Sequence, residues 1–105
     1  MELQEKKDIE YLLSLEDNYD DEGAIAPAKE TINRALKYAP RLRKIVLKKT
    51  KIELCIPHYY HSDEGSVDLL WETEEYQLLS NVPADRKKEP TYYGRFPGGI
   101  ILEKK

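Results

Sequence analysis

The sequence predicts an α+β fold in which two N-terminal helices pack on one face of an antiparallel β-meander of three to five strands. Apolar residues recur at helical spacing in the first 40 residues. From residue 52 onward, apolar and polar residues alternate, which is typical of strands with one buried face. Short polar turns separate the alternating runs, which favours antiparallel neighbours. A sheet with one apolar face needs a cover, and the helices provide it.

Chain length and composition predict a single domain over residues 1–105. A chain of 105 residues can bury one core, and 40% hydrophobic with 35% charged residues is a globular composition. No apolar run approaches the roughly 20 residues of a membrane span. The charged first eight residues lack the apolar centre of a secretion signal, so we expect a cytoplasmic protein without a membrane partner.

Two helices are predicted before residue 41. The first covers residues 2–15. The second has Pro27 in its first turn, where a missing N–H costs nothing, and ends at Pro40, because the residue before a proline avoids helical geometry. Residues 42–47 fit either a helical turn or a strand. The apolar positions are Leu3, Ile9, Leu12, Leu13 and Leu15 in the first helix and Ile32, Ala35, Leu36 and Ala39 in the second.

The remainder of the chain is predicted to be β. Alternating runs cover residues 52–56, 66–72 and 76–82, and residues 62–65 and 73–75 are turn candidates. Residues 92–93 and 100–102 are candidates for additional edge strands. Proline and glycine divide this last part of the chain into short pieces.

Two motifs carry a resemblance to known proteins. The first is Asn18-Tyr19-Asp20-Asp21-Glu22-Gly23-Ala24, followed by Pro27 and Glu30-Thr31-Ile32, and the second is Asp63-Glu64-Gly65-Ser66-Val67-Asp68-Leu69-Leu70-Trp71. The chain resembles a group of small bacterial proteins with Asn-Trp/Tyr-Asp-x-Glu-Gly-Ala before a helix and Asp-Gly-Ser-Ile/Val-x-Leu-x-Trp on a later strand. The second motif departs from that pattern by one residue before the glycine and one before the tryptophan. The resemblance covers residues 12–82 and implies the order of elements, but no activity.

The acidic segment around residue 20 is a candidate cation site. Asn18, Asp20 and Glu22 alternate like the opening oxygen ligands of a calcium loop. The closing carboxylate of such a loop would fall at position 29, which is Lys29. We therefore expect a structural loop, anchored by Tyr19, whose carboxylates favour the N-terminus of the following helix. Calcium or magnesium binding by the three alternating residues and a binding surface are the two alternatives.

Two histidines and the single cysteine are the other candidates for chemistry. His58 and His61 would point to opposite faces of a flat strand, so a metal site there requires a bend. A solvated strand end and turn is the default expectation, and acid–base use of one histidine is a further alternative. Cys55 lies in an apolar run and is expected to be a half-buried strand residue. No cofactor is expected. A metal-dependent hydrolase that uses the acidic loop or the two histidines is one alternative function.

A basic segment covers residues 37–51. Such a segment could follow a phosphate backbone, although no aromatic residues interleave with the lysines. A solvated connection and an acidic protein partner are the other interpretations. A nucleic-acid-binding accessory protein is therefore a second alternative function. Its contact residues would be Arg41, Arg43, Lys44, Lys48, Lys49 and Lys51, with Lys37 at the start of the segment.

Tyrosine is abundant, with eight residues, four of which form the adjacent pairs Tyr59-Tyr60 and Tyr92-Tyr93. On a strand, one member of each pair faces outward, and exposed tyrosine is enriched at protein interfaces. The predicted partner surface is Tyr59, Tyr60, His61, Tyr92 and Tyr93. No serine has a nucleophile-elbow context and no glycine-rich phosphate loop occurs, so an enzyme is not expected. The leading expectation is a non-catalytic binding or accessory module of the antitoxin, immunity or phage-accessory type, with a protein partner or a second copy of itself.

Overall fold

A computed structural model describes residues 3–20 and 23–105. Over these residues the chain forms two helices followed by five strands. The helices are α1 (Leu3–Ser14) and α2 (Lys29–Thr50). The strands are β1 (His58–His61), β2 (Val67–Glu72), β3 (Gln77–Val82), β4 (Thr91–Phe96) and β5 (Ile100–Lys104). All strands pair antiparallel in the order β1-β2-β3-β4-β5, which confirms the predicted α+β meander.

The core lies between the helices and one face of the sheet. Strand pairing aligns Trp71 of β2 with Leu78 of β3, and the latter with Gly94 of β4. Trp71 is 1% exposed, and its indole N–H donates to the Cys55 carbonyl at 2.7 Å. A Cβ on Gly94 would lie 2.7 Å from Leu78 Cδ1, so this position has no room for a larger residue. The inner face is therefore fully packed at its centre.

Helix α2 passes through Pro40, so the prediction that the helix ends there is wrong. It begins at Lys29, two residues after Pro27, and residues 42–47 are helical. Proline inside a helix costs about 3 kcal/mol. Continuing the helix, however, buries Leu42 and Val46 completely, and each such burial is worth roughly 1.5–3 kcal/mol. Pro40 itself is exposed, so its ring does not disturb the core.

The predicted strand at residues 52–56 is also wrong, because the first strand starts later, at His58. Leu54 is buried, which explains the apolar alternation, but its carbonyl accepts the Arg43 Nε–H at 3.0 Å instead of a ladder bond. Cys55 is exposed, with its Sγ 3.9 Å from the Tyr76 hydroxyl. The expectation of a half-buried strand cysteine is therefore incorrect.

The two edges of the sheet differ. Helix α1 lies against β1, where Asp8 Oδ2 accepts the backbone N–H of Tyr59 at 3.1 Å. At the opposite edge, β5 is mostly exposed and includes Ile101, which is 57% exposed. Among the described residues, neither helix combines the length and apolar character that crossing a membrane requires.

Replacing Pro40 with alanine tests the account of α2. Pro40→Ala restores a helical N–H and removes a ring clash at an exposed position, so we expect the free energy of unfolding to rise by about 1–3 kcal/mol. Urea denaturation measures this change. The neighbouring exposed substitution Arg41→Ala is the control and should stay within about 0.5 kcal/mol of the parent. A destabilised Pro40→Ala variant would contradict the uninterrupted helix.

Candidate functional site

The outer face of the sheet, opposite the helices, carries a row of apolar side chains. Strand pairing aligns Leu70 of β2, Leu79 of β3 and Tyr93 of β4. Leu79 and Tyr93 are each 46% exposed. His58 and Glu103 lie at the two ends of this row, on β1 and β5. Apolar groups thus occupy the three central strands, and titratable groups flank them.

Two further exposed apolar side chains extend the row towards opposite corners. Tyr60 follows His58 by two positions on β1 and is 48% exposed. Ile101 pairs with Arg95 and so lies on the same outer face. We call Tyr60, Leu70, Leu79, Tyr93 and Ile101 the outer patch. It crosses the sheet from one edge strand to the other.

Polar side chains border the outer patch and are fixed by hydrogen bonds. Asn81 Nδ2 donates to Asp68 Oδ1 at 2.8 Å and to Ser66 Oγ at 3.0 Å. On the other side of the row, Gln77 donates to the Glu72 carboxylate. A shallow depression of about 650 Å³ lies over this face and is lined mainly by side chains of β3, β4 and β5. The arrangement is an apolar centre with a structured polar rim.

The structure divides the predicted partner-binding residues between two faces. Tyr60 and Tyr93 lie on the outer patch, so one tyrosine of each pair faces outward as predicted. Tyr59 and Tyr92 lie on the inner face, 3% and 8% exposed. His61 is half-buried, with Nδ1 2.9 Å from the Tyr19 hydroxyl. Leu70, Leu79 and Ile101 were not singled out from the sequence, although Leu70 and Leu79 occupy the outward phase of their alternating runs.

Tyr59 joins β1 to helix α1. Its hydroxyl donates to Glu5 Oε2 at 3.0 Å. Burial, and then the neighbouring Glu5 carboxylate, raise the pKa of Tyr59 well above its ordinary value. Asp8 accepts the Tyr59 backbone N–H and also lies 3.4 Å from His58 Nδ1. The α1 carboxylates therefore hold the edge strand in place.

The acidic loop uses its side-chain oxygens to bind its own backbone. Asn18 Oδ1 accepts the Gly23 N–H at 2.7 Å, Asp17 Oδ1 accepts the Ala26 N–H at 3.0 Å, and Asp20 Oδ1 accepts the Ala24 N–H at 3.2 Å. Glu22, the third member of the candidate metal set, lies outside the described residues. In residues 3–20 and 23–105, no three His, Cys, Asp or Glu side chains are grouped so that they could hold a metal ion.

The two motifs that carry the resemblance lie side by side. Tyr19 of the first motif packs edge-on against His61, with ring centroids 5.0 Å apart. Gly65 of the second motif has φ +77°, and a Cβ there would lie 3.2 Å from Ile25 Cγ2. His58 and His61 have different partners, Asp8 and Tyr19. This part of the molecule therefore connects the loop before α2 to the β1–β2 turn.

The predicted basic residues are also divided. Arg41, Lys44 and Lys48 lie on the exposed side of α2, together with Lys37. Arg43 is half-buried and donates to the Leu54 carbonyl. The remaining two, Lys49 and Lys51, are exposed at the end of the helix.

Comparisons of the chain with protein-family models, with curated proteins and with solved structures give no match.

Replacing Tyr59 with phenylalanine tests the contact between α1 and β1. Loss of the hydrogen bond to Glu5 should lower the free energy of unfolding at pH 7 by about 1 kcal/mol. The folded state raises the pKa of Tyr59, so above pH ~10 the unfolded state ionises first and the parent loses stability as pH rises. Because phenylalanine does not titrate, the difference between parent and Tyr59→Phe should narrow above that pH.

Urea denaturation between pH 7 and about pH 11 measures this difference. Tyr93→Phe on the outer face is the control and should match the parent throughout. If the free energies of unfolding of the parent and Tyr59→Phe differ by the same amount over this whole pH range, folding does not raise the pKa of Tyr59 and the described contact with Glu5 is contradicted.

Proposed function

We propose that the protein is a non-catalytic protein-binding module that contacts a folded partner through the outer patch. The observation that carries this proposal is the apolar row at the centre of the sheet, formed by the exposed Leu79 and Tyr93 and the half-buried Leu70. Burying such a row against another apolar surface is favourable by about 25 cal/mol per Å² of apolar area. The surrounding polar rim has the arrangement common to protein interfaces.

The rigidity of the central strands favours binding. Leu70, Leu79 and Tyr93 belong to three hydrogen-bonded strands that have neighbours on both sides. A backbone fixed in this way loses little conformational freedom on association, so less of the contact energy is offset by entropy. Tyrosine adds a large contact area with few rotatable bonds. The outer patch is thus preorganised for binding.

The size and charge of the face indicate the kind of partner. Five strands about 4.8 Å apart give a face roughly 19 Å wide, which corresponds to the smaller class of specific interfaces. The rim carries acidic groups, Asp68, Glu72 and Glu103, beside the basic Arg95. A matching partner would present a small apolar patch with charges of both signs around it, as in a regulatory or accessory complex.

Charge reversal within the patch tests the proposal. Leu79→Glu places a carboxylate at the centre of the apolar row, so we expect loss of at least about tenfold in partner affinity. Because the side chain is already 46% exposed, the free energy of unfolding should change by less than about 1 kcal/mol. The matched control is Leu13→Glu on α1, where the leucine is 51% exposed and lies away from the sheet face.

Affinity capture from a cell lysate, with parent and both variants compared, identifies the partner, and titration of that partner gives the affinities. Sedimentation of the pure protein shows whether the partner is a second copy. Capture of the same partner with equal affinity by Leu79→Glu would contradict the proposal. Two outcomes for a monomeric parent protein would also contradict it. One is that the parent captures no partner, and the other is that Leu13→Glu fails to retain the partner that the parent captures.

A further inference from the structure

Helix α2 presents a straight row of cations on its exposed side. Lys37, Arg41, Lys44 and Lys48 follow one another at intervals of four, three and four residues, and all four are exposed. On an α-helix this spacing confines them to an arc of about 60° over a length of about 16 Å. We call these four residues the cation row. It exists because the helix continues through Pro40.

The charge around the cation row is strongly uneven. Residues 31–51 contain eight Lys or Arg and no Asp or Glu, which leaves −11 for the other residues of a chain whose total is −3. Within the described chain, no carboxylate lies within ion-pair distance of the row. The acidic groups near its start have other partners: Glu30 lies 3.8 Å from Arg86, and Glu89 lies 2.7 Å from Lys104.

A groove of about 1070 Å³ lies beside the start of the row, and its lining is mixed: six Arg or Lys side chains and the three carboxylates of Glu30, Asp85 and Glu89. It lies between α2 and the segment that follows β3. The Arg34 guanidinium donates to the carbonyls of Pro83 and Asp85 at 3.2 and 3.3 Å, and also to that of Lys88. These bonds hold the segment against the helix, and Arg86 and Lys87 line the groove as a result.

We propose that the cation row binds the phosphodiester backbone of a nucleic acid. Phosphate contacts require cations at the surface and no apolar centre, and they are independent of base sequence. This site is separate from the outer patch, so it adds a second ligand to the proposed function and does not depend on it.

The composition of the helix surface favours nucleic acid over an acidic protein. The buried centre of a protein interface is apolar and poor in lysine. Leu47, at 43% exposure, is the one large apolar side chain of α2, a helix described in full, that is exposed. The cation row contains no apolar residue. The surface thus has the charge for a polyanion without the apolar centre that a protein partner would need.

Salt dependence gives a quantitative expectation. Each phosphate neutralised on duplex DNA contributes about −0.9 to the slope of log affinity against log salt concentration. Four contacts predict a slope of about −3 to −4. Binding should be independent of sequence, with dissociation constants in the micromolar range at low salt.

Fluorescence anisotropy with labelled duplex DNA, single-stranded DNA and duplex RNA of about 20 nucleotides tests this proposal. The row variant combines Arg41→Gln, Lys44→Gln and Lys48→Gln. We expect it to bind at least about 30-fold more weakly than the parent at low salt, with a slope near −1. The relative affinities of the three probes identify which nucleic acid supplies the backbone.

A second triple variant is the matched control. Lys6→Gln, Lys7→Gln and Lys105→Gln change the net charge equally but lie on α1 and at the residue that follows β5, and this variant should bind within about threefold of the parent. Circular dichroism checks that both variants are folded.

Three results would overturn the proposal. One is no binding of any probe by the parent at low salt, and another is equal weakening in the two triple variants. The third is binding of poly-L-glutamate as tightly as any nucleic-acid probe, which would assign the row to an acidic protein. None of these results bears on the outer patch, which Leu79→Glu tests separately.

Discussion

The burial of one face of α2 against β2 and β3 is the interaction on which the remaining structure depends. Ile32, Ala35, Ala39, Leu42 and Val46 form this face, and each is at most 3% exposed. Its apolar contacts continue on both sides of Pro40, so packing gains outweigh the missing helical hydrogen bond. Tertiary burial, and not local helix propensity, therefore carries α2 past Pro40. The ending itself is local: Lys51 adopts φ +65°, and its N–H donates to the Leu47 carbonyl.

Both candidate surfaces follow from this packing. With its apolar side on the sheet, α2 must point its other side to solvent, and the spacing of Lys37, Arg41, Lys44 and Lys48 then forms one row. The described helices lie on the inner face and along the β1 edge, so the outer face keeps Leu79 and Tyr93 exposed. The two surfaces lie on opposite layers of the molecule. A protein partner on the sheet and a nucleic acid on the helix could therefore be bound at the same time.

Alternation and helical spacing were sufficient to predict the α+β class, both helices and the antiparallel meander. They failed where a non-local contact decides the conformation. Pro40 is a helix terminator by local chemistry, and only the burial of Leu42 and Val46 overrides it. Residues 52–56 alternate like a strand because Leu54 is buried, but the Arg43 side chain takes the carbonyl that a strand would pair.

The candidate site was predictable only in part, for a related reason. Alternation shows that one tyrosine of each pair faces outward, but not which one, since that depends on strand register. The sequence does not mark Leu79 as a site residue, because a single exposed leucine is common on protein surfaces. Leu79 becomes part of a patch only through Leu70 and Tyr93 on the neighbouring strands.

Native-state amide hydrogen exchange along α2 tests most directly whether packing against the sheet keeps the helix continuous through Pro40. We expect the amides of Leu42 and Val46 to be protected as strongly as those of Ala35 and Ala39, because the two halves of α2 unfold as one cooperative unit. Rapid exchange after Pro40, with protection kept before it, would contradict this expectation.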